Sequence, residues 1–109
     1  MDRIYHGTAA SCGIKEGYVK VLLSPSDFDK VNDGDIVVVH ASSPIWTLPL
    51  MKAGALISEL GGILCHTAII ARELGVACVV GIDNITKELH DNDFVRVDGE
   101  KGEVYVINQ

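Results

Sequence analysis

Apolar positions along this chain come in short runs separated by polar turns. Ile36-Val37-Val38-Val39 follows the turn Asn32-Asp33-Gly34-Asp35 and is continuous, which predicts a strand buried on both faces. Tyr18 to Leu23 is rich in branched and aromatic residues and predicts another strand. Pro25 and Asp27, after Ser24, open a short helix to about Val31. Ser42-Ser43-Pro44 offers an N-cap with proline at the first helical position, predicting a helix over about Pro44 to Ala53. Ala55 to Ser58 is a short strand, and Gly61-Gly62 is a loop. His66 to Leu74 is a helix closed by Gly75 as a left-handed cap. Val76 to Val80 is a strand ended by Gly81, and a turn of helix lies near Ile85–Leu89. Phe94–Val97 and Glu103–Ile107 flank Asp98-Gly99-Glu100-Lys101-Gly102, the signal of a hairpin. Strands and helices alternate in the middle, the ends are rich in β-structure, and neither linker nor repeat interrupts them.

Charge divides the chain further. Between Ile36 and Ile82 only Lys52, Glu59, Arg72 and Glu73 are charged, whereas Asp83 to Glu103 holds seven acids. The middle is therefore expected to be the core and to bear the site, with the ends as a solvated shell. At 109 residues the chain makes one domain, 1–109, which buries roughly 65% of its unfolded surface. With 48% apolar and 22% charged residues, it is not a disordered or low-complexity sequence. A net charge of −6 argues against a nucleic-acid or anionic-membrane partner, because both require a basic surface. No apolar run reaches the length of a membrane span, and Met1-Asp2-Arg3 opens no signal core. Cys12, Cys65 and Cys78 are odd in number and lack metal-pair spacing, so they read as reduced thiols of a cytoplasmic protein.

One segment, Glu59 to Gly75, carries candidate chemistry. Gly61 and Gly62 let the backbone turn sharply and approach a ligand. His66 then stands in the first turn of a helix, where backbone N–H groups lack intrahelical acceptors and the dipole is positive. A phosphoryl group is favoured at such a place, and a neutral imidazole is a competent nucleophile. The bland alternative is a histidine that only caps or satisfies the helix start. Zinc on Cys65, His66 and Cys78 is not expected, because their separations fit no usual ligand pattern.

The run from Gly61 to Gly81 resembles the signature of the phosphohistidine swivelling domain, the mobile module of phosphoenolpyruvate synthase, pyruvate phosphate dikinase, enzyme I and rifampicin phosphotransferase. That pattern is Gly-Gly, two variable positions, Ser/Thr/Cys, His, small residues, then Ala-Arg-Glu-x-Gly-x-Pro-Ala-Val-Val-Gly. Gly7 to Gly13 with Gly17, Asp33 to Val38, Ser43 to Trp46, and the closing segments Asp93–Gly99 and Gly102–Val104 resemble the family's other segments. The sequence departs from the pattern at Cys12 and Ala77, where proline is usual. It departs again at Ile45, where Asp is common, and at Leu64, where Thr is frequent.

The resemblance implies an α/β fold, a compact swivelling β/β/α domain with short helices on a mixed sheet. It implies that His66 is phosphorylated through Nε2. Thr67 is then the nearest hydroxyl to steady the group, with Thr47 or Ser43 reaching from the facing loop; Thr67 could instead bond only its own backbone. Gly61 and Gly62 would give access. Cys65 is read as a small polar neighbour rather than a reactive thiol. Arg72 either contacts a partner or anchors the helix C-terminus, and His40 ends a strand near the site. The implied function is a phosphoryl carrier of a dikinase- or synthase-type phosphotransferase. Its partners would be a nucleotide-binding protein of the ATP-grasp type, a protein binding phosphoenolpyruvate or pyruvate, or both. No cofactor is expected on this chain; Mg²⁺ with ATP, or phosphoenolpyruvate, would come with the partner. Met1 and the complete domain favour a separate subunit acting in trans over an excised fragment. The alternatives are a regulatory module that keeps the fold without phosphoryl flux, and a small autonomous hydrolase.

Overall fold

In the computed structural model, which describes residues 3–107, the chain runs β1 (Arg3–His6), β2 (Thr8–Ser11), β3 (Ile14–Leu22), a 3-10 helix (Pro25–Lys30), β4 (Ile36–Val39), a second 3-10 turn (Pro44–Trp46), α1 (Thr47–Leu50), β5 (Ala55–Ser58), α2 (His66–Leu74), β6 (Ala77–Val80), α3 (Ile85–Glu88), β7 (Phe94–Asp98) and β8 (Glu103–Val106). The strand order is β1-β8-β7-β3-β4-β5-β6-β2. β3 belongs to both halves of this array. Its first part, Ile14 to Tyr18, pairs antiparallel with β7, and its second part, Val19 to Leu22, pairs parallel with β4. β4, β5 and β6 continue the parallel half, and β2 closes its far edge antiparallel to β6.

The parallel half is buried on both faces, as its unbroken apolar runs require. One face, with Val19, Val21, Ile36, Val38, Ile57 and Val79, packs against Val95, Val97, Val104 and Val106 of the antiparallel half. The other, with Leu22, Val37, Val39, Leu56 and Val80, is covered by Ala68 and Ala71 of α2 and by Leu50. The architecture is thus sheet on sheet with a helical layer behind, a β/β/α sandwich. The small alanines let α2 lie close to the strands.

Several expectations need correction. The ends are not merely a solvated shell: Val95, Val97, Val104 and Val106 of β7 and β8 face inward and complete the core, and Asp98 at the end of β7 is itself buried, accepting from the N–H groups of Glu100 and Lys101 in the turn. The helix expected over Pro44 to Ala53 is a 3-10 turn followed by one turn of α-helix. Its continuation is prevented because the backbone there is engaged elsewhere: Gly34 N–H donates to Lys52 O, and Gly54 N–H donates to Asp35 O, each at 2.8 Å. The helix after Pro25 is 3-10 in form, with Asp27 accepting from the N–H groups of Leu23 and Ser24. β3 begins four residues before Tyr18, because pairing with β7 overrides a locally polar sequence. No helix among the described residues is long and apolar enough to cross a membrane.

Candidate functional site

Parallel strands deliver their following loops to one end of the sheet, the usual place for a site in such a fold. β4 delivers residues 40–47 and β5 delivers residues 59–66 to that end. The two loops are fastened together. Glu59 N–H donates to Val39 O and Leu60 N–H to His40 O, each at 3.0 Å, and Ser58 Oγ reaches across to His40 O at 3.3 Å while bracing its own loop through Leu60 O at 2.7 Å. Glu59 is almost wholly buried. Its carboxylate accepts from Thr86 N–H at 2.8 Å and Thr86 Oγ1 at 2.6 Å, and lies 2.5 Å from His40 Nδ1. Burial pushes this carboxyl up, but the hydrogen bonds from Thr86 and His40 outweigh it and hold the group below its ordinary range.

After Leu60 the chain turns through Gly61, whose φ is +106°, and a Cβ built there would lie 2.7 Å from both Cβ and Sγ of Cys65. Gly62 has open space around it and no positive φ. Access and conformational demand are therefore divided between the two glycines, with the demand at Gly61 alone. Cys65, extended at φ −73° and ψ 163°, occupies the N-cap of α2, and no side chain caps the helix. Gly75 ends it in the left-handed conformation, at φ 73°. Cys78 lies fully buried on β6, and burial first, with Cys65 nearby, pushes its thiol up to about 12.

His66 stands half-buried at the start of α2 with hydroxyls beside both ring nitrogens. Ser42 Oγ is 2.7 Å from Nδ1, and Thr47 Oγ1 is 3.5 Å from Nε2. Thr67, 1% exposed, points its Oγ1 at Ser42 Oγ over 2.6 Å, so its hydroxyl joins the network instead of bonding only its own backbone. A depression of about 70 Å³ is lined by Ser42, Ser58, Gly61, Cys65, His66 and Thr67. Thr47, Cys65, Thr67 and Gly61 are thus gathered at His66. Arg72 is not: its Nη1 donates to Ala10 O at 2.9 Å, tying the last turn of α2 to β2 beside an open groove. His40 engages Glu59, and Ser43 is an exposed N-cap residue of the 3-10 turn. Among the described residues, no three His, Cys, Asp or Glu side chains are placed to hold a metal ion.

Ser42 and Glu59 are the residues that sequence reasoning missed. Ser42-Ser43-Pro44 reads as a cap, and local sequence does not say which serine is free of that duty. The available signal is position: Ser42 lies three residues beyond a buried parallel strand, at the end where such strands present their sites.

Residues 31–102 match the family model described as "PEP-utilising enzyme, mobile domain". The phosphoenolpyruvate synthase of Deinococcus radiodurans is 43% identical over 107 residues, which cover 95% of this chain and 14% of that protein. The chain spans about an eighth of the length of the curated relatives it matches. Among solved structures, enzyme I (nEIt) in solution is 30% identical, with a TM-score of 0.64 over 75% of this chain and 34% of that one. Thermococcus kodakaraensis aconitase X superposes with a TM-score of 0.71 over 97% of this chain and 99% of that one; at 21% identity this is a likeness of fold alone.

Proposed function

The chain belongs to the mobile-domain family of the phosphoenolpyruvate-utilising enzymes, and from that premise we propose that residues 1–109 form a single phosphoryl-carrier domain with His66 as acceptor. The observation that carries the reading is the hydroxyl on each side of the imidazole, Ser42 at Nδ1 and Thr47 near Nε2. With the proton on Nδ1 donated to Ser42 Oγ, and Ser42 donating onward to Thr67, the lone pair of Nε2 is free. Nε2 then forms a bond to phosphorus as the bond to the donor's leaving oxygen breaks, that oxygen keeping its electron pair. The ring becomes cationic and holds its Nδ1 proton against Ser42. Thr47 Oγ1 is close enough to donate to a phosphoryl oxygen, and the uncapped start of α2 supports the added negative charge. On transfer to an acceptor, the P–Nε2 bond breaks and the ring recovers its pair. Cys65 contributes small size beside the nucleophile.

Phosphoryl transfer asks mainly for positioning and charge stabilisation. Nucleotide, Mg²⁺ and phosphoenolpyruvate or pyruvate belong, on this reading, to partner domains of the ATP-grasp and phosphoenolpyruvate-binding types in the cytoplasm. The side chains around His66 are hydroxyls and a thiol, not the carboxylate set that Mg²⁺ prefers, and the carboxylate of Glu59 is occupied.

Phosphoramidate, a small donor that needs no partner, tests the reading. Peptide mapping is expected to place an acid-labile phosphoryl group on His66 well before His90, whose side chain is 77% exposed. His66→Ala should remove that label while stability changes by less than about 1 kcal/mol. Labelling of His66 no faster than His90 would refute the reading in favour of a module that keeps the fold without phosphoryl flux.

A further inference from the structure

The two segments that meet at His66 share a property that the carrier chemistry does not require. Residues 42–51 and 60–69 contain no Asp, Glu, Lys or Arg, although the chain has 24 such residues. Both segments also expose large apolar side chains. Trp46 turns inward onto Phe28, and Pro49 and Leu50 are buried, which leaves Ile45, Leu48 and Met51 outward. Ile63 and Leu64 stand out from the loop before His66, and Ile69 lies one turn after it on α2. Leu48 is 76% exposed and Leu64 81% exposed. Thr47 beside Nε2 brings the two segments together at His66, so each carries its exposed apolar residues within a few positions of the nucleophile. Single exposed apolar residues are normal, but a contiguous set around a reactive group marks a surface that another molecule covers.

Charge decides what that molecule is. Once His66 carries a phosphoryl group, the two segments hold one anionic centre among uncharged residues, with Asp29 and Lys52 at the edge beside Leu48. A charged side chain on the partner's rim would lose its water against leucine and isoleucine without gaining a counter-charge. A cation at the partner's centre would meet the phosphoryl group. We propose that residues 42–51 and 60–69 form the docking face for the phosphoryl-donor protein, whose site has a cationic floor and a neutral, apolar rim. The proposal rests on His66 as the carrier. Its consequence is an encounter driven by burial of Leu48, Leu64 and their neighbours, with little long-range steering by charge. Occupation by a second copy of this chain would cover His66 and is the competing outcome.

The test uses the full chain and two donors. The protein donor is Deinococcus radiodurans phosphoenolpyruvate synthase lacking the region that this chain matches, supplied with ATP and Mg²⁺; the small donor is phosphoramidate. That enzyme's own matching region, added back in trans, is the positive control. The variants are Leu48→Asp and Leu64→Asp, with Ile4→Asp on β1, half exposed and away from the site, as the off-face control. Phosphoramidate should label His66 equally in all of them. The protein donor should label the parent and Ile4→Asp alike, and each face variant about tenfold or more slowly. Labelling of the parent should change less than about threefold between about 20 and 500 mM KCl. Failure with phosphoramidate would overturn the carrier reading itself. Equal labelling of face variants by the protein donor, steep salt dependence, or a parent that stays unlabelled where the control succeeds would overturn the docking proposal alone. So would a dimer in sedimentation that Leu64→Asp dissociates without change in labelling.

Discussion

Replacing Gly61 with alanine separates what the two adjacent glycines do. The residue sits at φ +106°, a conformation L-residues rarely adopt, and holding alanine there costs on the order of 1–3 kcal/mol. The new methyl would also lie 2.7 Å from Cβ and Sγ of Cys65, so the N-cap of α2 must shift. Overpacking of that kind adds about 1–3 kcal/mol. Partial relaxation of one strain by the other leaves a net loss of about 3 kcal/mol, which lowers the melting temperature of a domain this size by roughly 10–20 °C. Gly62→Ala meets open space and an unexceptional φ, and should stay within about 0.5 kcal/mol of the parent. Thermal melting and urea titration measure both variants, and phosphoramidate labelling of His66 follows the site. Displacement of Cys65 carries His66 away from Thr47, so Gly61→Ala should also label more slowly under conditions where it remains folded. Adding Cys65→Ala to Gly61→Ala removes the thiol contact but not the φ strain, and should restore less than half of the lost stability. A Gly61→Ala protein that melts with the parent, or a Gly62→Ala protein that alone loses stability, would refute this assignment of the turn.

Ser42→Ala should slow labelling of His66 by about five- to tenfold, the worth of one hydrogen bond, and should shift the ring's proton population between Nδ1 and Nε2, read by ¹⁵N NMR; an unchanged tautomer would remove Ser42 from the mechanism. Glu59→Gln should lower stability at pH 7 by about 1–3 kcal/mol. Because the folded Glu59 carboxyl lies below its unfolded value of about 4.3, its contribution is complete above that value and disappears as pH falls through the folded one. The gap between parent and variant should therefore narrow below about pH 5, while Asp27 and Asp91, also lowered, keep some slope in both proteins. A gap independent of pH in denaturant titrations would contradict this.

Ile36–Val39, Ala55–Ser58 and the run ending at Val80 were legible as strands through their unbroken apolar runs, the second half of β3 through its branched and aromatic residues, and β7 and β8 through the hairpin signal between them. α2 was legible at both ends, through the histidine after a glycine loop and the left-handed Gly75. β1 and β2 left little trace, because short strands with exposed residues are fixed by the partners they find. The inward role of the terminal valines was hidden among acids, although Val95, Val97, Val104 and Val106 all face the core. At the site, His66 and its neighbours in sequence could be nominated, whereas Ser42 depends on a contact across 24 residues. Which of the two glycines bears the strain is likewise fixed by the position of Cys65, which no local pattern encodes.

The pairing of β1 with β8 sets Arg3 opposite Val106, and β3 meets β7 with Ile14 opposite Asp98. On a ribosome these ladders wait for the final strands, whereas β3, β4, β5 and β6 are all available earlier. During that interval the parallel half has its helix but not its opposing sheet, so Val19, Val21, Ile36, Val38, Ile57 and Val79 face water. Contacts this distant along the chain make for a high contact order and slow closure. The half-built sheet is then the species most exposed to aggregation, and a nascent chain stalled before β7 should engage chaperones that a chain extended beyond β8 does not.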